Sequence, residues 1–293
     1  MLNHIHEKMT KPQRVVVLGA NGFVGSAAVK RLQSAGIDVI AIGRHEVDLA
    51  ENHATDRLVN YLRQDDALVI TSAKAPCKNY TMLLQNIQMM KHVCDALTKQ
   101  PVQQVIYISS DAVYADSMDK LNESSPAAPT SLHGAMHLAR ELMLSSVVQP
   151  DALSILRPSL LYGAHDPHNG YGPNSFYRLA LSDQSIELFG FGEEQRDHVF
   201  IEDVAELIYL CLVYRSYGTL NITTGEVTSF AQVAELIKQV TKRSVDIKFK
   251  PRQGAMPHNG YRAFENAVCR RAFANFQYTL LTDGLTKMHE LVV

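Results

Sequence analysis

The chain of 293 residues contains no tryptophan, only four cysteines and almost no excess charge. Its 28 basic and 30 acidic residues give a formal net charge of −2 at pH 7, which leaves no excess of positive charge to neutralise nucleic-acid phosphates. No apolar run reaches the ~20 residues that a membrane-spanning helix needs. These absences predict a protein with neither nucleic-acid nor membrane partners.

The cysteines are isolated from one another. None belongs to a Cys-x-x-Cys pair, and their spacing suits neither a zinc site nor a disulfide framework. They are Cys77, Cys94, Cys211 and Cys269. Isolated buried thiols are typical of a reducing compartment, so we expect a cytoplasmic protein without a metal site.

The first twelve residues are polar and lack the apolar stretch of a secretory signal peptide. We expect residues 1–12 to form a flexible leader. His4 and His6 within it are expected to be solvated rather than functional.

Short apolar runs alternate with amphipathic helical patterns along the first half of the chain. The predicted strands are 14–18, 38–42, 67–70, 104–109 and 152–156, and the predicted helices are 21–34, 48–63, 80–98 and 132–148. Strands and helices that alternate at this spacing indicate βαβ units. The sequence therefore predicts an α/β fold with a Rossmann-type doubly wound parallel sheet.

The composition changes after residue 160, because residues 161–196 are rich in Gly, Pro, Tyr and Asn. We expect a dinucleotide-binding domain over 13–160, whose sheet is completed by about 197–225. Residues 161–196 and 226–293 are predicted to form a small C-terminal α/β lobe that binds the substrate.

A glycine-rich segment directly follows the first predicted strand and opens the first predicted helix. It reads Gly19-Ala20-Asn21-Gly22-Phe23-Val24-Gly25. Such glycines allow a tight turn, backbone approach to a pyrophosphate and close packing of helix on strand, while the helix N-terminus attracts the anion. Gly19 and Asn21 to Gly25 are therefore predicted to bind a dinucleotide. The alternative is a tight turn without a ligand.

The second predicted strand ends in Ile42-Gly43-Arg44. An NAD site usually has an acidic residue at this point to hold the ribose hydroxyls, whereas an arginine suits the 2′-phosphate of NADP. Arg44, with Arg31 as a second candidate, therefore favours NADP over NAD. An exposed surface arginine is the alternative for Arg44.

Several motifs follow the glycine segment in a characteristic order. They are Ser109-Ser110-Asp111-Ala112-Val113-Tyr114, Leu156-Arg157-Pro158 with Leu161-Tyr162-Gly163, and Arg196-Asp197-His198-Val199-Phe200-Ile201-Glu202-Asp203-Val204-Ala205. Together with the glycine segment they resemble the extended short-chain dehydrogenase/reductase family, the sugar-nucleotide epimerases, dehydratases and ketoreductases. The resemblance covers about residues 14–240. It implies a nucleotide-sugar substrate and an NAD(P) cofactor.

The chain departs from that family at the site of proton transfer. Family members carry Tyr-x-x-x-Lys, with tyrosine as acid/base and lysine on the nicotinamide ribose, whereas this chain has His133-Gly134-Ala135-Met136-His137. The resemblance implies that His133 takes the tyrosine position and His137 the lysine position, while Ser110 hydrogen-bonds the reacting oxygen. These three are the predicted catalytic residues, with His137 also at the cofactor.

Three interpretations of the histidines remain open. His133 is an acid/base, which the ordinary imidazole pKa near ~6.5 suits. Alternatively, the site has lost its chemistry, and the protein binds NAD(P) or a sugar nucleotide as a silent pseudoenzyme or sensor. The least favoured interpretation is a metal held by His133, His137 and Glu141 on one helix face, where residues eight apart lie ~12 Å apart along the axis.

The resemblance also implies a substrate site and an oligomer. Asp111, Asn174 and Arg196 are the predicted substrate-binding residues, with Arg196 suited to a diphosphate by bidentate pairing. An ion pair of Arg196 with Asp197 or Glu202 is the alternative. A homodimer through the helices near 80–98 and 131–148 is expected.

Overall fold

A computed structural model describes all residues, Met1–Val293. Its strands are, in chain order, β1 (Asn3–His4), β2 (Arg14–Leu18), β3 (Asp38–Ile42), β4 (Ala67–Ile70), β5 (Gln104–Ile108), β6 (Leu153–Pro158), β7 (Leu160–Tyr162), β8 (Ile186–Phe189), β9 (Gln195–Arg196), β10 (His198–Phe200), β11 (Ser216–Ile222), β12 (Thr228–Ser229), β13 (Ile247–Lys250) and β14 (Tyr261–Arg262). Its helices are α1 (Phe23–Ser34), α2 (Ala54–Val59), α3 (Tyr80–Lys99), α4 (Leu132–Ser145), α5 (Pro173–Leu181), α6 (Ile201–Val213), α7 (Phe230–Thr241), α8 (Ala267–Ala272) and α9 (Leu281–Val292). None of these helices combines the length and the apolar character needed to cross a membrane.

A seven-stranded sheet in the order β1-β11-β6-β5-β4-β2-β3 forms the centre of the fold. All its pairings are parallel except that of β1 with β11. The inner strands β2, β4, β5 and β6 are buried on both faces, one face packing on α1 and α6 and the other on α2, α3 and α4. The prediction of an α/β fold with a Rossmann-type doubly wound parallel sheet is confirmed.

The helix predicted over 48–63 is confined to the six residues of α2. Before it, the Asp48 carboxylate accepts a hydrogen bond from the amide of Ala50 at 2.9 Å, and the amide of Ala54 donates to the carbonyl of Glu51 at 3.0 Å. Short polar side chains such as Asp48 compete in this way for the backbone groups of a helix start. The predicted start was therefore too early.

The leader is not flexible throughout, and the prediction for its first residues was wrong. Asn3 and His4 pair antiparallel with Tyr217 and Ser216 of β11. The His4 ring lies 2.8 Å from the hydroxyl of Ser216 and 3.0 Å from the carbonyl of Ala272. Backbone pairing at a sheet edge leaves no apolar pattern in the sequence, which is why the leader resembled a solvated tail.

A second hydrophobic cluster lies outside the large sheet. It is formed by α5, α7, α9 and the strands β8 and β10, with Phe176, Phe230 and Leu285 among its buried side chains. Short pairings complete it, namely β7 with β10, β8 with β13, and β9 with β12 and β14. The division into a domain over 13–160 and a lobe over 161–196 and 226–293 stays a prediction.

The parallel strands bring four loops to one edge of the sheet. Gly19 follows β2, Thr71 follows β4, Ser109 follows β5 and Ser159 follows β6. The carboxyl ends of parallel strands are where ligands bind in open α/β sheets. The candidate site lies there.

Candidate active site

A cavity of about 660 Å³ runs between the carboxyl edge of the sheet and the second cluster. Most of the predicted site residues line it: Gly22, Phe23, Val24, Gly25, Ser110, Asp111, His133, His137, Asn174 and Arg196. Gly19, Asn21 and Arg44 lie outside this lining. The fold thus brings the glycine loop, the histidines and the substrate residues to a single cavity.

The glycine loop has no room for side chains at two positions. Gly19 has a positive φ of 94°, and a Cβ there would lie 2.6 Å from the amide nitrogen of Ser72. A Cβ on Gly25 would lie 2.1 Å from the carbonyl oxygen of Gly19. Gly22 precedes α1 and no side chain caps that helix, so its first amide groups remain available to an anion. The loop therefore fits the pyrophosphate of a dinucleotide.

The end of β3 carries a cation and a carboxylate. Arg44 is exposed and makes no hydrogen bond or ion pair within the protein. The side chain of Asn21 packs against Gly43, where a Cβ would approach Asn21 Nδ2 to 2.3 Å. The Glu46 carboxylate accepts a hydrogen bond from the Gly43 amide at 2.8 Å, and such backbone bonds lower its pKa. Sequence reasoning missed Glu46, which lies four residues beyond the strand end.

Arg31 does not belong to the cofactor site. Its guanidinium pairs with Glu206 of α6 and lies 3.8 Å above the centroid of the Tyr209 ring. The arginine instead joins α1 to α6, the two helices on one face of the sheet.

His133 and His137 lie on the first two turns of α4 with their rings edge to face, 4.8 Å between centroids. The amide of Cys77 donates to Nδ1 of His133 at 3.4 Å, and Nδ1 of His137 lies 2.8 Å from the hydroxyl of Tyr107. No protein group bonds Nε2 of either ring. Since both side chains line the cavity, Nε2 is the atom that each offers to a ligand.

Both imidazoles are neutral near pH 7. Burial lowers the pKa of His133, Asp111 acts against this, and His168 adds to it. The pKa of His137 lies well below its usual value because of burial first, and then because of His133 and Arg140. Because an amide can only donate, the neutral form of His133 that accepts from Cys77 carries its proton on Nε2.

Ser110 is bonded to its own turn. Its hydroxyl accepts from the amide of Ala112 at 3.1 Å and donates to the carboxylate of Asp111 at 3.3 Å. Asp111 is paired on its other side with Arg262, 3.2 Å away. No hydrogen bond joins Ser110 to His133, although both line the cavity.

Glu141 does not join the histidines. Its carboxylate is bound by Arg157 of β6 at 2.6 Å and by the hydroxyl of Ser109 at 2.5 Å, and the pair is buried. No group of three His, Cys, Asp or Glu side chains has the geometry to hold a metal ion. The interpretation of His133, His137 and Glu141 as metal ligands is therefore wrong, because strand β6 supplies a stronger partner for the glutamate.

Asn174 and Arg196, the two predicted substrate-binding residues within 161–196, form hydrogen bonds to other groups of the protein. Asn174 donates to Asp166 at 2.8 Å and accepts from the Gly163 amide at 3.1 Å. Arg196 pairs with Glu194 at 2.6 Å, so the expected alternative partners Asp197 and Glu202 were wrong. Its Nε has no protein partner and remains free for a ligand.

Arg262 is the main residue that sequence reasoning missed. It is buried, lines the cavity and lies directly opposite Arg196, because β14 pairs with β9 in that register. Asp111 and Asp116 pair with it at 3.2 Å. It lies in an irregular tail with no motif around it, so only the strand pairing reveals it.

Comparison with known proteins supports the same fold. The uncharacterized UDP-glucose epimerase YtcB of Bacillus subtilis is 23% identical over 297 residues, which cover 97% of this chain and 92% of that protein. The UDP-glucose 4-epimerase of Thermotoga maritima, solved with UDP-glucose, has a TM-score of 0.82 at 20% identity, covering 94% of this chain and 97% of that one. The GDP-L-fucose synthetase of Naegleria fowleri bound to NADP has a TM-score of 0.82 at 18% identity, covering 99% and 95%.

A family model matches most of the chain. It is that of the NAD dependent epimerase/dehydratase family, and the match spans residues 15–223. This span includes the glycine loop, both histidines and Arg196, and it confirms the resemblance drawn from the motifs. The chain belongs to the NAD dependent epimerase/dehydratase family.

Proposed function

We propose that the protein is an NAD(P)-dependent oxidoreductase, epimerase or dehydratase that acts on a nucleotide sugar. The observation that carries this proposal is the single cavity, which joins a dinucleotide cradle to two neutral imidazoles and then to two arginines. Relatives of similar length act on UDP-glucose according to their names.

The glycine loop and the free amides of α1 hold the pyrophosphate of the cofactor. When bound, the nicotinamide supplies hydride chemistry at a sugar carbon. Arg44 favours NADP, since it is exposed and unpaired and can reach a 2′-phosphate without giving up a partner. Glu46 favours the ribose hydroxyls of NAD, but it is already bonded to Gly43.

His133 is the proposed acid/base at the reacting oxygen. To act as base at that oxygen, Nε2 takes the proton of a sugar hydroxyl, for which the ring must first carry its own proton on Nδ1 and release the long 3.4 Å contact with the Cys77 amide. The imidazolium formed in this way returns the proton from Nε2 when the ring acts as acid. Ser110 turns its hydroxyl from Asp111 to the same oxygen. His137 hydrogen-bonds the ribose of the cofactor through Nε2.

The far end of the cavity suits the diphosphate of a nucleotide sugar. Arg196 offers its free Nε, and Arg262 opposite it adds a second guanidinium. Asp111 and Asn174 line the same cavity and offer a carboxylate and an amide to sugar hydroxyls. Glu194 and Asp116 hold the two arginines in place until the anion arrives.

A homodimer is proposed from exposed apolar side chains on α3 and α4. Leu84 and Leu142 are each 64% exposed, and Tyr80 and Leu132 on the same two helices are exposed as well. A second copy packing on these helices buries all four.

The unpaired buried thiols are compatible with a reducing cytoplasm.

The test is a titration of the purified protein with NADPH and NADH, followed by incubation with UDP- and GDP-sugars and product analysis. Wild type is expected to bind one cofactor tightly and convert a sugar nucleotide. His133→Phe is expected to keep cofactor affinity and lose turnover, with thermal unfolding as the control for folding. Cofactor binding without any turnover in wild type would favour the silent pseudoenzyme or sensor instead.

A further inference from the structure

Arg140 is a fully buried arginine without an ion-pair partner. Its side chain has 0% exposure, and it bonds only to neutral groups: Nη2 to the carbonyl of Ser72 at 2.7 Å and Nη1 to the sulfur of Met136 at 3.8 Å. Its Nε has no partner at all. The neighbouring carboxylate of Glu141 is taken by Arg157. An uncompensated buried charge is costly, so a protein that retains one has a use for it.

The guanidinium lies beneath the catalytic end of the cavity. It is 5.2 Å from the centroid of the Tyr107 ring, and the Tyr107 hydroxyl lies 2.8 Å from Nδ1 of His137. His137 in turn lines the cavity. Through Ser72 the same guanidinium holds the segment that abuts the Gly19 turn. Arg140 therefore contacts both the Ser72 segment beside the Gly19 turn and the tyrosine that is bonded to His137.

We propose that Arg140 is a fixed cation beneath the two histidines and a positioning residue that, acting with Tyr107, keeps His137 uncharged with Nε2 toward the cavity. The lysine of the family pattern is absent from position 137, and the positive charge sits three residues further along α4. The hydrogen bond of His137 to a cofactor ribose rests on the proposed function, whereas the neutral state of His137 is a property of the cofactor-free protein.

The charges around His137 support this assignment. On α4 it faces His133 and Arg140, on β5 it faces Tyr107, and on α3 the thiol of Cys94 lies near Arg140. No carboxylate bonds to it, and Asp111 faces His133 instead. Burial raises the pKa of Tyr107 to about 12, so the Tyr107–His137 pair is neutral on both sides at pH 7.

A neutral pair has a chemical advantage that a lysine lacks. When the Tyr107 hydroxyl donates to Nδ1, Nε2 of His137 carries the proton and donates to the cavity. When Tyr107 accepts from Nδ1–H, Nε2 presents a lone pair and accepts. His137 can thus donate a hydrogen bond to a ribose hydroxyl or accept one from it, provided that the imidazole stays uncharged.

The experiment follows the imidazole resonances of the cofactor-free protein by NMR from pH 4 to 8, with His137 assigned by its loss in His137→Gln. In wild type His137 is expected to titrate well below His133. In Arg140→Met its midpoint is expected to rise, yet to stay below the ordinary value because burial remains. Arg140→Lys keeps the charge and is expected to leave the midpoint unchanged.

Tyr107→Phe tests the other half of the pair. It is expected to change the imidazole nitrogen shifts of His137, since the tautomer loses its partner. Tyr114→Phe is the matched control, because Tyr114 is equally buried, lies under the Arg157 guanidinium at 4.9 Å and is hydrogen-bonded, but does not touch His137. It is expected to leave His137 unchanged.

Two results would overturn the proposal. One is a folded Arg140→Met protein whose His137 midpoint equals that of wild type. The other, which decides the matter if Arg140→Met does not fold, is a Tyr107→Phe protein with wild-type His137 shifts. Because the measurement uses free protein, failure to find turnover on any sugar nucleotide would count against the proposed function and not against this inference.

Discussion

The imidazole rings of His133 and His137 meet edge to face with 4.8 Å between their centroids, and neither has a carboxylate partner. Two such rings cannot both carry a proton at this distance without strong repulsion, and burial already disfavours the first proton on each. The acid/base role proposed for His133 therefore starts from an imidazole that is neutral at physiological pH.

The first prediction concerns the acid limb of the pH–rate profile. Because the pKa of His133 is lowered, kcat/KM is expected to be constant above pH 6.5 and to fall below it as His133 becomes protonated. Since His168 lowers that pKa and Asp111 raises it, His168→Gln should move the limb to higher pH and Asp111→Asn to lower pH. The pH–rate profiles of wild type and the two variants check both directions. A shift of the acid limb in the same direction in both variants would contradict the prediction.

The second prediction concerns stability in acid. Burial lowers the pKa of His198 to about 4, although a contact with the Thr228 backbone acts against this, and neither ring nitrogen makes a well-formed hydrogen bond. The unfolded chain takes up this proton below pH 6.5 and the folded protein does not, so stability falls as the pH drops from about 6.5 to about 4.

His198→Phe removes this proton linkage while keeping a ring beside Phe230, whose centroid is 5.9 Å away. Between pH 7.5 and pH 5 the variant is expected to gain about 2 kcal/mol of stability relative to wild type, at ~1.4 kcal/mol per pH unit below the ordinary pKa. Urea unfolding at pH 5 and pH 7.5 measures the difference. An advantage that is equal at both pH values would point to packing instead of proton linkage.

The fold was predictable because its signals are local. Apolar runs such as Val15 to Leu18 bounded by glycine define buried parallel strands, and the glycine loop marks the cofactor edge of the sheet. The position of Ser110, His133 and Arg196 on one cavity followed from the order of the motifs. Parallel strands necessarily bring their carboxyl ends together.

Several partners of the site residues were not predictable, because they come from distant strands. Glu141 lies in register with the histidines, but Arg157 of β6 removes it from the site. Arg196 was predicted to bind a diphosphate, with Asp197 or Glu202 as alternative ion-pair partners. It pairs instead with Glu194, two residues earlier, and Arg262 lies opposite it only because β14 pairs with β9. Arg140 looks like an ordinary helix residue until its burial is known.

The third prediction tests the glycine loop. Gly25→Ala places a methyl group 2.1 Å from the Gly19 carbonyl, so the loop or α1 must move. Cofactor affinity is expected to fall roughly tenfold or more, at 1–3 kcal/mol for overpacking. Gly170→Ala is the control, since a Cβ there meets nothing within 4 Å. Calorimetric titration with NADPH compares the two, and equal losses would argue against a specific role for the loop.

The fourth prediction concerns the choice of cofactor. Arg44→Ala is expected to weaken NADPH binding roughly tenfold to a hundredfold, the range of a charge-assisted hydrogen bond, and to leave NADH binding unchanged. Arg57→Ala on α2, an exposed arginine with only a weak ion pair to Glu51, controls for general loss of charge. If Arg44→Ala binds both cofactors as wild type does, the preference for NADP is wrong and Glu46 becomes the residue to test.

The last prediction concerns the exposed face of α3 and α4. Leu142 and Leu84 are each 64% exposed, and a charge at either position cannot be buried against a second copy without a large cost. Leu142→Glu is therefore expected to convert a dimer into a monomer, as measured by sedimentation velocity over a range of concentrations. Leu291→Glu is the matched control, because Leu291 is 52% exposed on α9 and lies outside this face. The predicted interface is wrong if wild type sediments as a monomer at every concentration, or if both variants remain dimeric.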